Sequence, residues 1–148
     1  REAYPAHPLV AAELARVLAK AGQTQESCTA AAAAIKTALA AGTGPVGVEL
    51  FVEFAPVRHR LDLQAPTLEA LGRILLQRNS LDDALWCFNL LARLGGDATK
   101  VQKGLIAVAE GAVRAGNTGR AVEVFDLLLS QYPDSPFASY VEDAKSRL

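Results

Sequence analysis

Residues 84–91, ALWCFNLL, recur 37 positions later as residues 121–128, AVEVFDLL, with Ala84, Phe88 and Leu91 falling on Ala121, Phe125 and Leu128. A fixed period of this size marks stacked supersecondary units. The same step carries Leu68 to Leu105 and Leu71 to Val108. Backwards from the quoted stretch, Phe88 falls on Phe51, Ala84 on Gly47 and Leu91 on Phe54. Turn residues keep the phase as well, since Ala115-Gly116 lands on Ala41-Gly42 after two steps.

Each unit reads as two helices. Over Thr67 to Gln77 the apolar residues Leu68, Leu71, Ile74 and Leu75 line one helical face. Ser80 and Asp83 have the spacing of a capping box for a second helix. That helix buries Leu81, Ala84, Leu85, Phe88 and Leu91 and stops at Gly95-Gly96. The next unit turns Leu105, Val108, Ala109 and Ala112 inward, reverses at Gly116-Asn117 and returns through Ala121, Val124, Phe125 and Leu128. Ser135-Pro136 opens a last helix, serine as N-cap and proline at the first helical position. Its Glu142, Asp143, Lys145 and Arg147 give the polar outer face of a terminal cap.

The N-terminal part is less regular. Leu9 to Ala21 predicts a helix ended by Gly22, and Thr24 caps a second that runs to Ala41. Residues 30–34 are five alanines; side chains this small suit close helix–helix approach within the fold, or a smooth face against a partner, and the first reading is preferred. Val46 to Phe54 alternates like a strand, while Leu50, Phe51, Phe54, Val57 and Leu61 fit a helix. Pro45 at a first helical position and the 37-residue phase decide for helix.

The chain has 148 residues and 51% hydrophobic content, enough for one core. Fifteen Lys+Arg against sixteen Asp+Glu leave a formal charge of -1, without the concentrated positive field that nucleic acid requires. The one tight basic cluster, Arg58-His59-Arg60, reads as a solvated helix end. Cys28 and Cys87 read as small buried hydrophobes; a disulfide between them stays open, and two cysteines do not fix the compartment. No apolar run approaches the roughly 18–20 residues of a membrane span. The chain begins at Arg1 rather than Met and reads as a piece of something larger.

No catalytic or metal-binding set emerges. His7 and His59 have no carboxylate or cysteine at ligand spacing. Asp82-Asp83 serves as first-turn charge for its helix. Gly42-x-Gly44 leads into Pro45 without the lysine of a phosphate loop. Trp86 beside Phe88 reads as packing, or as a partner anchor if exposed. No cofactor and no metal are expected, and the chain reads as a non-enzyme.

Leu68-x-x-Leu71-Gly72-x-x-Leu75, the two Ala-x-x-x-Phe-x-x-Leu segments at Ala84 and Ala121, and Pro133 together resemble the tetratricopeptide repeat. The likeness covers residues 66–134 and is weak before residue 60. Ala109 and Ala112 stand where the family has a glycine and an aromatic, and 37 exceeds its usual length of about 34. The stretch from Ala121 to Leu148, with Tyr132-Pro133-Asp134-Ser135-Pro136, resembles the tetratricopeptide domains of bacterial envelope-assembly proteins.

The resemblance implies an all-α helical-repeat solenoid of about seven to eight helices in antiparallel pairs. Its expected organisation is a linker or tail at 1–7 and one domain at 8–148, comprising irregular helices 8–62, clear repeats 66–134 and a capping helix 136–148. It implies a protein-binding scaffold that holds a partner's peptide or helix in a concave groove, with a permanently docked structural subunit as the alternative. Carried over position by position, the groove holds Glu69, Arg73, Leu76 and Gln77, then Lys103, Ile106, Glu110, Val113 and Arg114. Ile106 and Glu110 replace the lysine and asparagine with which some members clamp a C-terminal carboxylate. The expected partner is another protein, with apolar anchors flanked by mixed charge and with homo- or hetero-oligomers admitted; nucleic acid and direct membrane insertion are not expected. The expected setting is the cytoplasm, with a periplasmic or membrane-associated complex as the alternative.

Overall fold

The computed structural model describes residues 7–148, and all regular structure among them is helical. The order is α1 (Pro8–Lys20), α2 (Thr24–Ala40), α3 (Gly44–Glu53), a 3-10 helix (Ala55–Arg60), α4 (Ala65–Gln77), α5 (Leu81–Arg93), α6 (Ala98–Arg114), α7 (Thr118–Gln131) and α8 (Ala138–Ser146). The ambiguous Val46 to Phe54 segment is helical through Glu53, with Pro45 in the first turn of α3 and Phe54 as its C-cap; the α-helix does not continue to Val57 and Leu61, which lie in and after the 3-10 segment. Most of the expected tail at 1–7 lies outside the described residues. His7 is the N-cap of α1, its Nδ1 accepting from the Leu9 N–H at 3.2 Å.

Left-handed residues close five of the helices: Gly22 (φ 80°) and Gly95 (φ 74°) after α1 and α5, and three more spaced by 37 residues. These three, Gly42 (φ 78°), Asn79 (φ 61°) and Gly116 (φ 79°), stand at the turns before α3, α5 and α7. Their N–H groups bond back to Leu39, Leu76 and Val113 at 3.3, 3.0 and 2.9 Å, closing one helix before the next begins. Glycine suits this conformation, and asparagine is among the few other residues that adopt it.

The chain divides into two compact units, Arg1–Leu71 and Gly72–Leu148, the division falling inside α4. In the first, α1 packs on α2 through small side chains: Ala12, Ala15, Ala31, Ala34 and Ala38 are all buried. The buried Ser27 Oγ donates to the Ala15 carbonyl at 2.9 Å and so satisfies a polar group in that tight seam. The alanine run therefore serves close approach at Ala31 and Ala34, while Ala33 is exposed. Helix α3 closes on α2 where a Cβ on Gly47 would lie 3.5 Å from that of Ala38. Phe51 is fully buried, and Arg58 lies with its guanidinium carbon 5.5 Å from that ring's centroid. The basic cluster is thus stacked at Arg58 rather than wholly solvated.

In the second unit α6 packs between α5 and α7, and α8 packs on α7. Ala84, Phe88 and Leu91 are the fourth, eighth and eleventh residues of α5; Ala121, Phe125 and Leu128 hold the same places in α7, and all six are buried. Neither cysteine is in a disulfide, and both are buried as expected.

The capping details differ from expectation. Ser80 is the N-cap of α5, but at ψ 73° its hydroxyl accepts no cap bond, so that half of the capping box is not formed. Asn117 has nearly the same backbone, and its longer side chain does reach the Arg120 N–H at 3.1 Å. Thr24 is the first residue of α2 rather than its cap, since the chain turns one residue earlier at Gln23. Ser135 does not cap α8 directly: its Oγ accepts from the Phe137 N–H at 3.0 Å, residues 136–137 form a turn, and the helix starts at Ala138.

Candidate surface on α4, α6 and α8

The expected groove residues occupy one face of each parent helix, as i, i+3, i+4 and i+7 spacings require. On α4, Arg73 and Gln77 are exposed and Leu76 is half-buried. Glu69 is half-buried and belongs to the first unit. On α6, Lys103, Val113 and Arg114 are exposed. Ile106 is not a surface residue: at 9% exposure it is part of the core, because α6 is covered on more sides than a groove-lining helix would be.

Glu110 is half-buried and already engaged, accepting a hydrogen bond from the Tyr140 hydroxyl of α8. That bond to a carboxylate raises the Tyr140 phenol above its ordinary value, since ionising it would set two negative charges together. Tyr140 itself remains 50% exposed. An aromatic ring with a polar tip, held at a protein surface, is a common anchor for partners. Tyr140 does not stand out in the sequence, where Glu142, Asp143, Lys145 and Arg147 make residues 136–148 read as a polar cap. A tyrosine two residues into a short amphipathic helix was the available signal.

The polar contact at the base of α8 is Ser135 Oγ donating to Gln102 Oε1, which satisfies the buried Gln102. Lys145 Nζ donates to Asp126 Oδ1 at 2.6 Å, which raises the lysine's pKa by keeping it charged. Both contacts fasten α8 to the unit and fix the position of Tyr140. The surface thus comprises two exposed cations of α6, the aliphatic Val113 and the exposed Tyr140 ring, with Arg73 and Gln77 on α4.

A separate cleft of about 300 Å³ in the first unit is lined by Ala32, Ala33 and Lys36 of α2 and by Arg60, Asp62 and Thr67. Among the described residues no group of three His, Cys, Asp or Glu side chains could hold a metal ion. No helix of the described residues is long and apolar enough to cross a membrane. Comparison with family models, curated proteins and solved structures returns no match for this chain.

Proposed function

We propose that this chain is a non-catalytic protein-interaction domain, a tetratricopeptide-like helical repeat that holds a peptide or helix of a partner protein. The observation that carries the repeat reading is the burial of Phe51, Phe88 and Phe125 at 37-residue spacing, with the left-handed residues Gly42, Asn79 and Gly116 at the same step. Stacked helix pairs with a constant turn present one face of every first helix to the same side. On α4 and α6 that face carries Arg73, Gln77, Lys103, Val113 and Arg114, and Tyr140 adjoins it through Glu110. Mixed cationic, aliphatic and aromatic groups suit an amphipathic ligand with acidic flanks.

A second reading, a subunit permanently docked in a larger assembly, is favoured by aliphatic side chains exposed on α1, outside that face. Affinity capture from the source cell with wild-type and Arg73→Glu/Arg114→Glu domains separates the two. Partners lost on charge reversal belong to the α4/α6 face, and partners retained belong elsewhere. The proposed setting is the cytoplasm, or a periplasmic or membrane-associated complex.

A further inference from the structure

Helix α1 is amphipathic in an unusual way. Its inner face is alanine, Ala12 and Ala15 being fully buried, while its larger aliphatic residues point outward. Leu9, Val10, Leu14 and Val17 are 58%, 67%, 53% and 54% exposed. Val10, Leu14, Val17 and the exposed Ala21 follow a 4-3-4 spacing, the seam of a coiled-coil pair. Glu13 and Lys20, seven residues apart, flank that seam on one side, and both are exposed. Arg16 does not neutralise Glu13 well: its guanidinium is taken by Glu53 at 2.7 and 2.8 Å, leaving Glu13 a contact of 3.4 Å.

We propose that this face of α1 docks on the same face of a second copy of the chain, antiparallel about a twofold axis between Leu14 and Val17. An isologous contact uses one patch twice, so the patch must complement itself. In the antiparallel register Leu14 lies over Val17 of the second copy, and Val10 over its Ala21. Glu13 then faces Lys20 of the second copy and Lys20 faces its Glu13, giving two ion pairs from one helix. A parallel pair sets Glu13 beside the uncharged flank of Ala11 and Leu18 and gains neither. Charge complementarity therefore selects both the occupant and its direction. This inference deepens the docked-subunit reading and is independent of the α4/α6 face.

Sedimentation velocity from about 1 to 200 µM tests it, since a dimer's stability depends on protomer concentration. The wild-type chain is expected to pass from monomer to dimer. Leu14→Glu, at a half-exposed site, is expected to keep its helical circular dichroism and to weaken dimerisation at least tenfold. Glu13→Lys and Lys20→Glu are each expected to weaken it several-fold, and the combined exchange to restore it. A chain that stays monomeric throughout overturns the proposal and leaves α1 to a different partner. A dimer indifferent to Leu14→Glu, or a double exchange as weak as either single change, overturns it equally. Capture by the α4/α6 face, measured on the Leu14→Glu variant, reports separately on the groove reading.

Discussion

The Phe88 ring of α5 occupies the space above Gly104 of α6: a Cβ added there would come within 2.6 Å of three ring carbons. The same ring blocks Gly72 of α4, where a Cβ would lie 2.7 Å from Cζ. Two glycines on two helices thus form the slot for one aromatic. Gly104→Ala gains about 0.5–1 kcal/mol of helix propensity. It is expected to lose more, about 1–3 kcal/mol, to overpacking. The net loss should appear in thermal or denaturant melting, and in a Phe88→Leu background the same change should become neutral or stabilising. An unchanged loss there would mean the ring is not what fills the slot.

Phe88 and Phe125 are both almost wholly buried at equivalent places in α5 and α7. Phe88→Ala and Phe125→Ala should each cost about 3–5 kcal/mol, the range for removing a buried ring. Urea titration checks this, and near-neutral effects would show that the shared phase does not reflect shared packing.

Asn79 is the one described non-glycine residue with positive φ, and the left-handed residues 37 positions to either side, Gly42 and Gly116, are glycines. Asn79→Gly is expected to be neutral or stabilising by up to about 1 kcal/mol, and Asn79→Ala to destabilise by about 1–2 kcal/mol, from the steric cost of this conformation. A melting series of the three variants at Gly42, Asn79 and Gly116 to Ala should give costs of similar size.

Much of the helical layout was legible because it depends on local rules. The period in Phe51, Phe88 and Phe125 located α3, α5 and α7, and Pro45 resolved the strand-like alternation around Leu50 correctly. The caps were less legible, because Ser80 and Asn117 share nearly the same backbone and differ only in side-chain reach. Exposure of the candidate residues was legible in part. Lys103, Val113 and Arg114 are exposed as their helical positions imply, but Ile106 is buried and Glu110 is claimed by Tyr140. Both outcomes follow from how α6 is covered and where α8 lands, which depends on tertiary packing rather than on spacing along α6. The aliphatic face of α1 was missed for a related reason: its alanines, not its leucines and valines, face the protein.

The pair between Arg16 and Glu53 should make a small contribution that depends on pH. Its hydrogen bonds hold the Glu53 carboxyl below its ordinary value of 4.5, and Arg16, already a strong base, is pushed up and stays charged. A depressed carboxyl pKa stabilises the fold above the unfolded value and loses that contribution as pH falls through the folded one. With Glu53 nearly half exposed, water screening limits the effect to no more than about 1 kcal/mol. Glu53→Gln should therefore melt slightly below wild type at pH 7, with the gap closing between about pH 5 and 3. A gap independent of pH would mean that the lost packing of the carboxylate, not its charge, is responsible.

The groove reading stands or falls on whether Arg73 and Arg114 bind without stabilising the fold. Both are exposed, and substitutions at such sites usually change stability by no more than about 0.5 kcal/mol. Arg73→Glu with Arg114→Glu should therefore leave the melting curve nearly unchanged. If a captured peptide sits on this face, the same pair should weaken it at least tenfold, about 1.4 kcal/mol, because reversed charges repel the acidic flanks they attracted. Tyr140→Phe supplies a second probe of the same surface. It keeps the exposed ring and removes the hydroxyl that Glu110 accepts from, so it should loosen α8 more than it weakens an apolar contact. Isothermal titration alongside thermal melting measures both effects. Unchanged affinity in the double reversal would exclude the α4/α6 face as the interface, whereas a collapsed melting curve would show that the two arginines support the fold and would reassign the face as structural.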